Sequence, residues 1–448
     1  MNETFFGATV AIYAIGQILS SPLFGWWSNR KGVQPPLIVG LLLMLLGNMA
    51  YISMEAIHFV PKRFILAFAR FITGAGSGNV SVLRSYASTA STNADRTKAI
   101  AYVTLGQSLG MVSGPVFQIL FLKLEHPGVR IFDVLSLSLY TGPAYCACFY
   151  EHRWAACSLY FLFNEHYAGI IEEQKPGDAE APPTPAVPKY DRLAVFVCYC
   201  TRFIDMLVRS TLEAIGSPFG MAVFALREAE VVSYNAWATG ILGGLTFATY
   251  LLYIFFRLER FIKLRFGCIA ALCGLVAFHL ITFAWPFLPS TVQLASPSSN
   301  LSVGCDAKRF SWCANLPAVP VWLYYGSYAL IVGLSFPMLT ISLNSLFSKV
   351  LGPIKQGTEQ GLLQVSSGVA RMVGPLGASY LYVKYGPQAV WLMEIGAIGL
   401  VLFAWIGLYR RMVPLRLTPE LQRALSSKRS ISRPSSVRKN SKQRVHPV

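Results

Sequence analysis

Apolar stretches of about 20 residues, the length needed to cross a hydrocarbon core of about 30 Å, recur along nearly the whole chain. Inside such a core the backbone finds no water, so each stretch has to close its own hydrogen bonds as a helix. The spans read as 5–26, 37–57, 62–86, 99–122, 137–163, 193–217, 233–256, 266–288, 320–344, 359–383 and 389–409. Hydrophobic residues make up 54% of the chain and charged ones only 13%, a balance that excludes an ordinary soluble enzyme.

Two spans carry matching strings: GMVSGPVFQ around Gly114-Pro115 and ARMVGPLGA around Gly374-Pro375. Two copies of one helix imply two copies of a half-protein, the usual build of a secondary transporter. Taken as equivalents, they are the fifth and eleventh helices of a twelve-helix pattern. The expected fold is an all-α membrane protein of two pseudo-symmetric helical bundles, with about eleven transmembrane helices visible and the first of twelve missing. The expected division is a first bundle over 1–163, a linker over 164–192, a second bundle over 193–410 and a basic disordered tail over 411–448. The linker contains EEQKPGDAEAPPTPAVP, too polar and Pro-rich to span or pack.

Basic residues gather in alternate short connections: Arg30 and Lys31, Arg96 and Lys98, Arg257 to Arg265, Lys349 and Lys355, then the tail from Arg410. The positive-inside rule makes these, and the linker, cytoplasmic. Met1 and the loop 290–319 then face the far side. Asn2 and Asn300 both begin glycosylation sequons there, and Cys305 and Cys313 in the same loop are a disulfide candidate in an oxidising compartment. Most of the other cysteines lie in spans and read as small buried hydrophobes. The net charge of +17 is accounted for by topology and contact with anionic lipid, without a nucleic-acid partner.

Charged residues inside spans are costly and therefore informative. Arg70 lies about two turns into its helix, followed by Gly74, Gly76 and Gly78, and is expected to face a polar interior and meet a ligand or an ion-pair partner. Gly106, Gly110 and Gly114 recur at intervals of four before Pro115, which suits close helix packing or a gating kink. The second copy, Gly368, Arg371, Gly374, Pro375 and Gly377, adds a cation where the first has Met111, making Arg371 the strongest site candidate. Arg202, Asp205, Arg209 and Glu213 share one helix face with alternating sign, either a self-neutralising ladder or part of a pathway; Glu213 is either a proton carrier or an exposed helix-end acid. Glu151-His152-Arg153 falls inside the span 137–163, where three consecutive charges cannot all face inward, so the helix breaks there or the sequence is irregular. No phosphate loop, zinc-type His/Cys spacing or nucleophile elbow occurs; no enzyme activity, metal or cofactor is expected.

Gly16-Gln17, Ser21-Pro22, Phe24-Gly25 and Trp27-Ser28-Asn29 together resemble the second helix and following loop of the major facilitator superfamily, although the loop lacks the usual aspartate before its basic pair. Arg70 with its glycines resembles the fourth-helix arginine motif, and Gly110 to Pro115 the fifth-helix Gly/Pro motif. Further strings, among them GQILSSPLFGWWSN, GAGSGNVSVLRSY, SKVLGPIKQG and SSGVARMVGPLG, are similar to a lysosomal-membrane branch of that superfamily. The resemblance implies an endolysosomal multi-pass protein associated with chloride permeation, and places Arg70, Arg84, Glu213 and Arg371 in matching strings as pathway candidates. The expected partners are chloride or a small solute, and lipid. Three mechanisms stay open: channel-like chloride flow between the halves, an alternating-access carrier of a small organic solute with protons on Glu213, and a non-transporting scaffold acting through the basic tail.

Overall fold

The structure is a computed structural model that describes residues 3–421 and 423, apart from 55, 58–59, 122–123, 125–128, 132–134, 139–140, 153–164, 166, 168–169, 171–187 and 296–303. Its helices are α1 (Glu3–Lys31), α2 (Gln34–Ile52), α3 (Lys62–Ser77), α4 (Asn79–Ala90), α5 (Arg96–Leu120), α6 (Gly142–Tyr150), α7 (Arg192–Val223), α8 (Glu228–Phe255), α9 (Leu264–Ile281), α10 (Val321–Leu351, through a π turn at Tyr328–Val332), α11 (Gly357–Tyr385) and α12 (Pro387–Gly407). A short antiparallel hairpin pairs β1 (Val129–Ile131) with β2 (Leu135–Leu137). Among the described residues, α2, α8, α9, α10 and α12 are long and apolar enough to cross a membrane by length and composition. Their outer faces carry large exposed apolar side chains such as Trp237, Phe255, Leu400 and Phe403, the surface that lipid covers.

Helix ends follow local chemistry. The Asp191 side chain accepts from the amides of Leu193 (2.9 Å) and Ala194 (3.4 Å) and so starts α7; Gly386, at φ 85°, separates α11 from α12 by adopting a backbone that side chains disfavour. The carboxylate of Glu165 accepts from Val33 N at 2.6 Å and Gln34 N at 2.8 Å, satisfying orphaned donors at the start of α2. Residue 165 is thereby fastened beside the basic α1–α2 connection.

Three expectations shift. The span expected over 137–163 begins only at Gly142, after the hairpin, and its α-helix ends at Tyr150, with Glu151 and His152 in a π turn; consecutive charges cannot share one buried face. Residues 153–164 lie outside the described residues. The span expected over 266–288 ends at Ile281, ahead of Pro286 and Pro289, which cannot continue a helix. The tail expected to be disordered from 411 is packed at its start: Met412 is fully buried and Leu415 N donates to Lys349 O at 2.9 Å, while 424–448 lie outside the described residues.

The larger apolar core joins α7, α9, α10, α11 and α12 around Phe278, Leu275, Phe347 and Trp405. The loop between α9 and α10 folds over it, with Cys305 and Cys313 joined by a disulfide. The two groups of helices meet through α1 and α4 against α11, and α5 against α8 and α10.

Candidate functional site between the helix groups

The contacts that join the groups concentrate at one end, the end bearing the basic connections. A Cβ placed on Gly25 would collide with the backbone of Gly357, and one on Gly361 would strike Pro22, so α1 and α11 approach as closely as their backbones allow. Asn29 Nδ2 donates to Thr358 Oγ1 (3.1 Å) and Gly357 N donates to Asn29 Oδ1 (2.9 Å). Arg96 donates to Ser348 O across the α5–α10 seam at 3.3 Å. A Cβ at Gly106, Gly110 or Gly377, by contrast, meets nothing within 4 Å. Of the packing or gating roles expected of Gly110, the structure shows no close packing: it fronts open space. Gly374 does pack, against Ser210 and Leu207 of α7, with Pro375 one residue on, inside α11. Gly114 and Pro115 lie within α5, at positions whose side chains are outside the described residues.

Above the sealed end, the facing helices present cations. Arg84, only 2% exposed, donates from Nη1 to Gln364 Oε1 at 2.9 Å and from Nη2 to Gln107 Oε1 at 3.0 Å. Arg202 donates to Asp205 at 2.9 Å, and Arg209 reaches the same carboxylate at 3.5 Å while its guanidinium lies 4.0 Å over the Phe336 ring. Arg371 is half-buried and touches the Met206 sulfur at 3.7 Å. Arg84 and Arg371 both lie within electrostatic reach of Arg202. Asp205 is the one carboxylate paired with these four arginines among the described residues. The Nε–H groups of Arg84 and Arg202 are buried without an acceptor among the described residues.

Such an excess of guanidinium in a low-dielectric interior is unfavourable unless something negative joins it. The cations are spread along α7 and α11 rather than gathered at one point.

The remaining candidates sit toward the open end. Arg70 is exposed; it precedes Arg84 by 14 residues, about 40° short of four full turns, so it lies on the side of α3–α4 that carries Arg84. It makes no hydrogen bond or ion pair among the described residues; of the ligand or ion-pair partner expected for it, the structure supplies no ion-pair partner among those residues. Glu213 is exposed, two turns beyond Asp205 on the same face of α7 and within electrostatic reach of Tyr328. Asn2 and Asn300 lie outside the described residues.

The ladder at Arg202, Asp205 and Arg209 is not self-neutralising, because one acid serves two cations. Gln107, Gln364 and the buried pair His279–Glu394 escaped the sequence reading. Glamour-free glutamines inside a polar helix give no signal; Glu394, a lone acid within an otherwise uncharged span, does.

Apolar helices long enough to cross a membrane, gathered in two groups with buried arginines where the groups face each other, are the build of a multi-pass membrane transport protein. The chain belongs to the Major Facilitator Superfamily, whose family model matches residues 1–304. It is 27% identical over 443 aligned residues to major facilitator superfamily domain-containing protein 8 of Xenopus laevis, covering 92% of this chain and 85% of that one. Its fold is that of the human organic anion transporter MFSD10 (TETRAN), with a TM-score of 0.61 at 18% identity over 89% of this chain and 83% of that one. The transporter FucP in its outward conformation also shares the fold, with a TM-score of 0.61 at 12% identity over 91% and 90% of the two chains. Transporters of this superfamily carry small solutes across lipid membranes, which is not enzymatic work.

Proposed function

We propose that this chain carries anions across an endolysosomal membrane, with chloride as the substrate its sequence strings imply, along a pathway between the bundles 1–163 and 193–410. The observation that carries the reading is the set of four arginines, Arg84, Arg202, Arg209 and Arg371, balanced by one paired carboxylate. Arg70 and Glu213 form the mouth of this pathway on the luminal side, where the sequons at Asn2 and Asn300 also belong, and the linker 164–192 is cytoplasmic. Location and chloride rest on the similarity of the motif strings.

The close approach of Gly25 and Gly357 supports alternating access over an open pore, since helix seams that close and open at one end are how such carriers work. That supports a second reading of the substrate. A guanidinium fork suits a carboxylate bidentately, and MFSD10 is described as an organic anion transporter, so a small organic anion is the alternative cargo.

Flux in proteoliposomes tests both. The purified chain in a chloride gradient gives saturating, modest uptake that Arg371→Gln reduces at least tenfold, and external carboxylates compete with it if the cargo is organic. Large voltage-following currents overturn alternating access; absence of any anion flux from folded, inserted protein overturns the reading altogether.

A further inference from the structure

Arg96, the first residue of α5, is 3% exposed and sits at the sealed end, beneath the cavity. Asp95, its neighbour in sequence, does not neutralise it: that carboxylate accepts from Thr92 Oγ1 at 2.9 Å and meets Arg257 at 3.4 Å. Arg96 donates from Nη1 to Ser348 O, a carbonyl that Gln356 Nε2 shares at 2.9 Å. Its Nε–H is buried with no acceptor among the described residues. The other charges in reach are Lys349, also cationic, and Glu259, the acid that faces Lys349. Two cations and one acid leave one positive charge uncompensated.

The groups around Arg96 are equally short of partners. Thr97 Oγ1 from α5, and Ser345 Oγ, Ser348 Oγ and both ends of the Asn344 amide from α10, are buried without a hydrogen-bond partner among the described residues, each at 1% exposure or less. Ser345 and Ser348 follow Ile341 by one and two turns, Ile341 shares an apolar cluster with Ala101 of α5, and Ser348 O accepts from Arg96, which turns this face of α10 toward Thr97 and Arg96. Each orphaned buried polar group costs about 1–3 kcal/mol, and native proteins meet such groups with water or an ion. Here the donors are a guanidinium N–H, hydroxyls and an amide, gathered at the positive end of the α5 dipole. Asn344 Oδ1, Gln356 Oε1 and Glu259 Oε2 are orphaned acceptors in the same region, but the uncompensated guanidinium tips the balance toward a negative charge, and the burial excludes a large one.

We propose that Arg96, Thr97, Asn344 and Ser345 form a second anion site, built to hold one halide-sized anion between α5 and α10 at the sealed end of the molecule. The site takes one wall from each bundle, so the anion is held only while that end is closed, and it fastens the closed state. It lies apart from the arginines of the cavity and does not require that the bound anion be the transported one.

The test measures the melting temperature of the purified full chain in detergent as gluconate is replaced by chloride or bromide, together with anomalous scattering from bromide in crystals. Native protein and Arg371→Gln, altered only in the cavity, gain stability saturably with halide. Arg96→Gln and the double variant Thr97→Val with Ser345→Ala raise the half-saturating halide concentration at least tenfold, and a bromide peak lies among Arg96, Thr97 and Ser345. The double variant, close to isosteric, keeps the test alive if Arg96→Gln fails to fold. Stability indifferent to halide, as for a chamber holding water alone, overturns the proposal. So does halide stabilisation that survives these variants, or bromide found only beside Arg84 and Arg202; in that last case the cavity reading stands while the second site falls.

Discussion

Arg84 of α4 donates to Gln364 of α11 at 2.9 Å, bridging the two helix groups from a position that is nearly fully buried. The same guanidinium holds Gln107 of α5. Arg84→Ala therefore removes one of the facing charges and orphans one buried amide oxygen, that of Gln364, at about 1–3 kcal/mol. The expected outcome is anion flux lowered at least tenfold together with a lower melting temperature. Arg84→Lys, which keeps the charge but has no planar fork to reach both amides, recovers part of the flux and less of the stability.

Arg202 and Arg371 are expected to separate stability from transport. Arg371 has no carboxylate partner and leaves only the Met206 sulfur behind, so Arg371→Gln lowers flux with a stability change below about 1 kcal/mol. Arg202→Gln leaves Asp205, which is 0% exposed, with only the longer 3.5 Å contact to Arg209, a loss larger than that of Arg371→Gln but short of the about 3–5 kcal/mol of a wholly unpaired buried charge. The double variant Arg202→Gln with Asp205→Asn regains most of that stability, and paired thermal melts with flux assays check the whole set.

The α1–α11 seam can be locked. Asn29 and Thr358 are within a hydrogen bond of each other, 3.1 Å between side-chain atoms, so the pair Asn29→Cys with Thr358→Cys is expected to form a disulfide under oxidation and stop flux. Reduction restores it. Flux that continues through the cross-linked protein shows that transport does not need this end to open.

Much of this architecture was legible because a membrane enforces period and length. The ends of α1, α5, α7 and α11 fall within a few residues of the apolar spans, since backbone hydrogen bonds must close wherever water is absent. Arg371 was legible as a break in the repeat. Arg202 and Arg209 were visible as charges but misweighed: spacing along α7 shows which side chains share a face and says nothing of how many acids meet them. Arg84 owes its importance to two glutamines from other helices, a relationship only the tertiary fold creates. The break after Tyr150 was legible in Glu151-His152-Arg153, whereas what Glu151 does, accepting from Asn48 Nδ2 at 3.3 Å, was not.

That last contact has a counterpart in the second bundle. Asn48 of α2 meets the acid just past the end of α6, and His279 of α9 meets Glu394 of α12, so each bundle ties two of its helices through a buried carboxylate. In the second bundle His279 Nδ1 lies 2.7 Å from Leu275 O. A carbonyl only accepts, so Nδ1 carries a hydrogen, and the Nε2–Glu394 contact needs one more proton between its two members. The pair is thus neutral as a unit, with both side chains 0% exposed, and it makes no hydrogen bond or ion pair with the arginines among the described residues. His279→Ala leaves that proton and carboxylate without a partner and is expected to destabilise the chain by about 3–5 kcal/mol, with flux per folded molecule unchanged. Replacing both, His279→Phe with Glu394→Leu, recovers most of the loss, because an apolar pair needs no proton. A melting-temperature series across native, single and double variants checks the energetics, and a fall in flux per folded molecule in the double variant would instead assign the pair a part in transport.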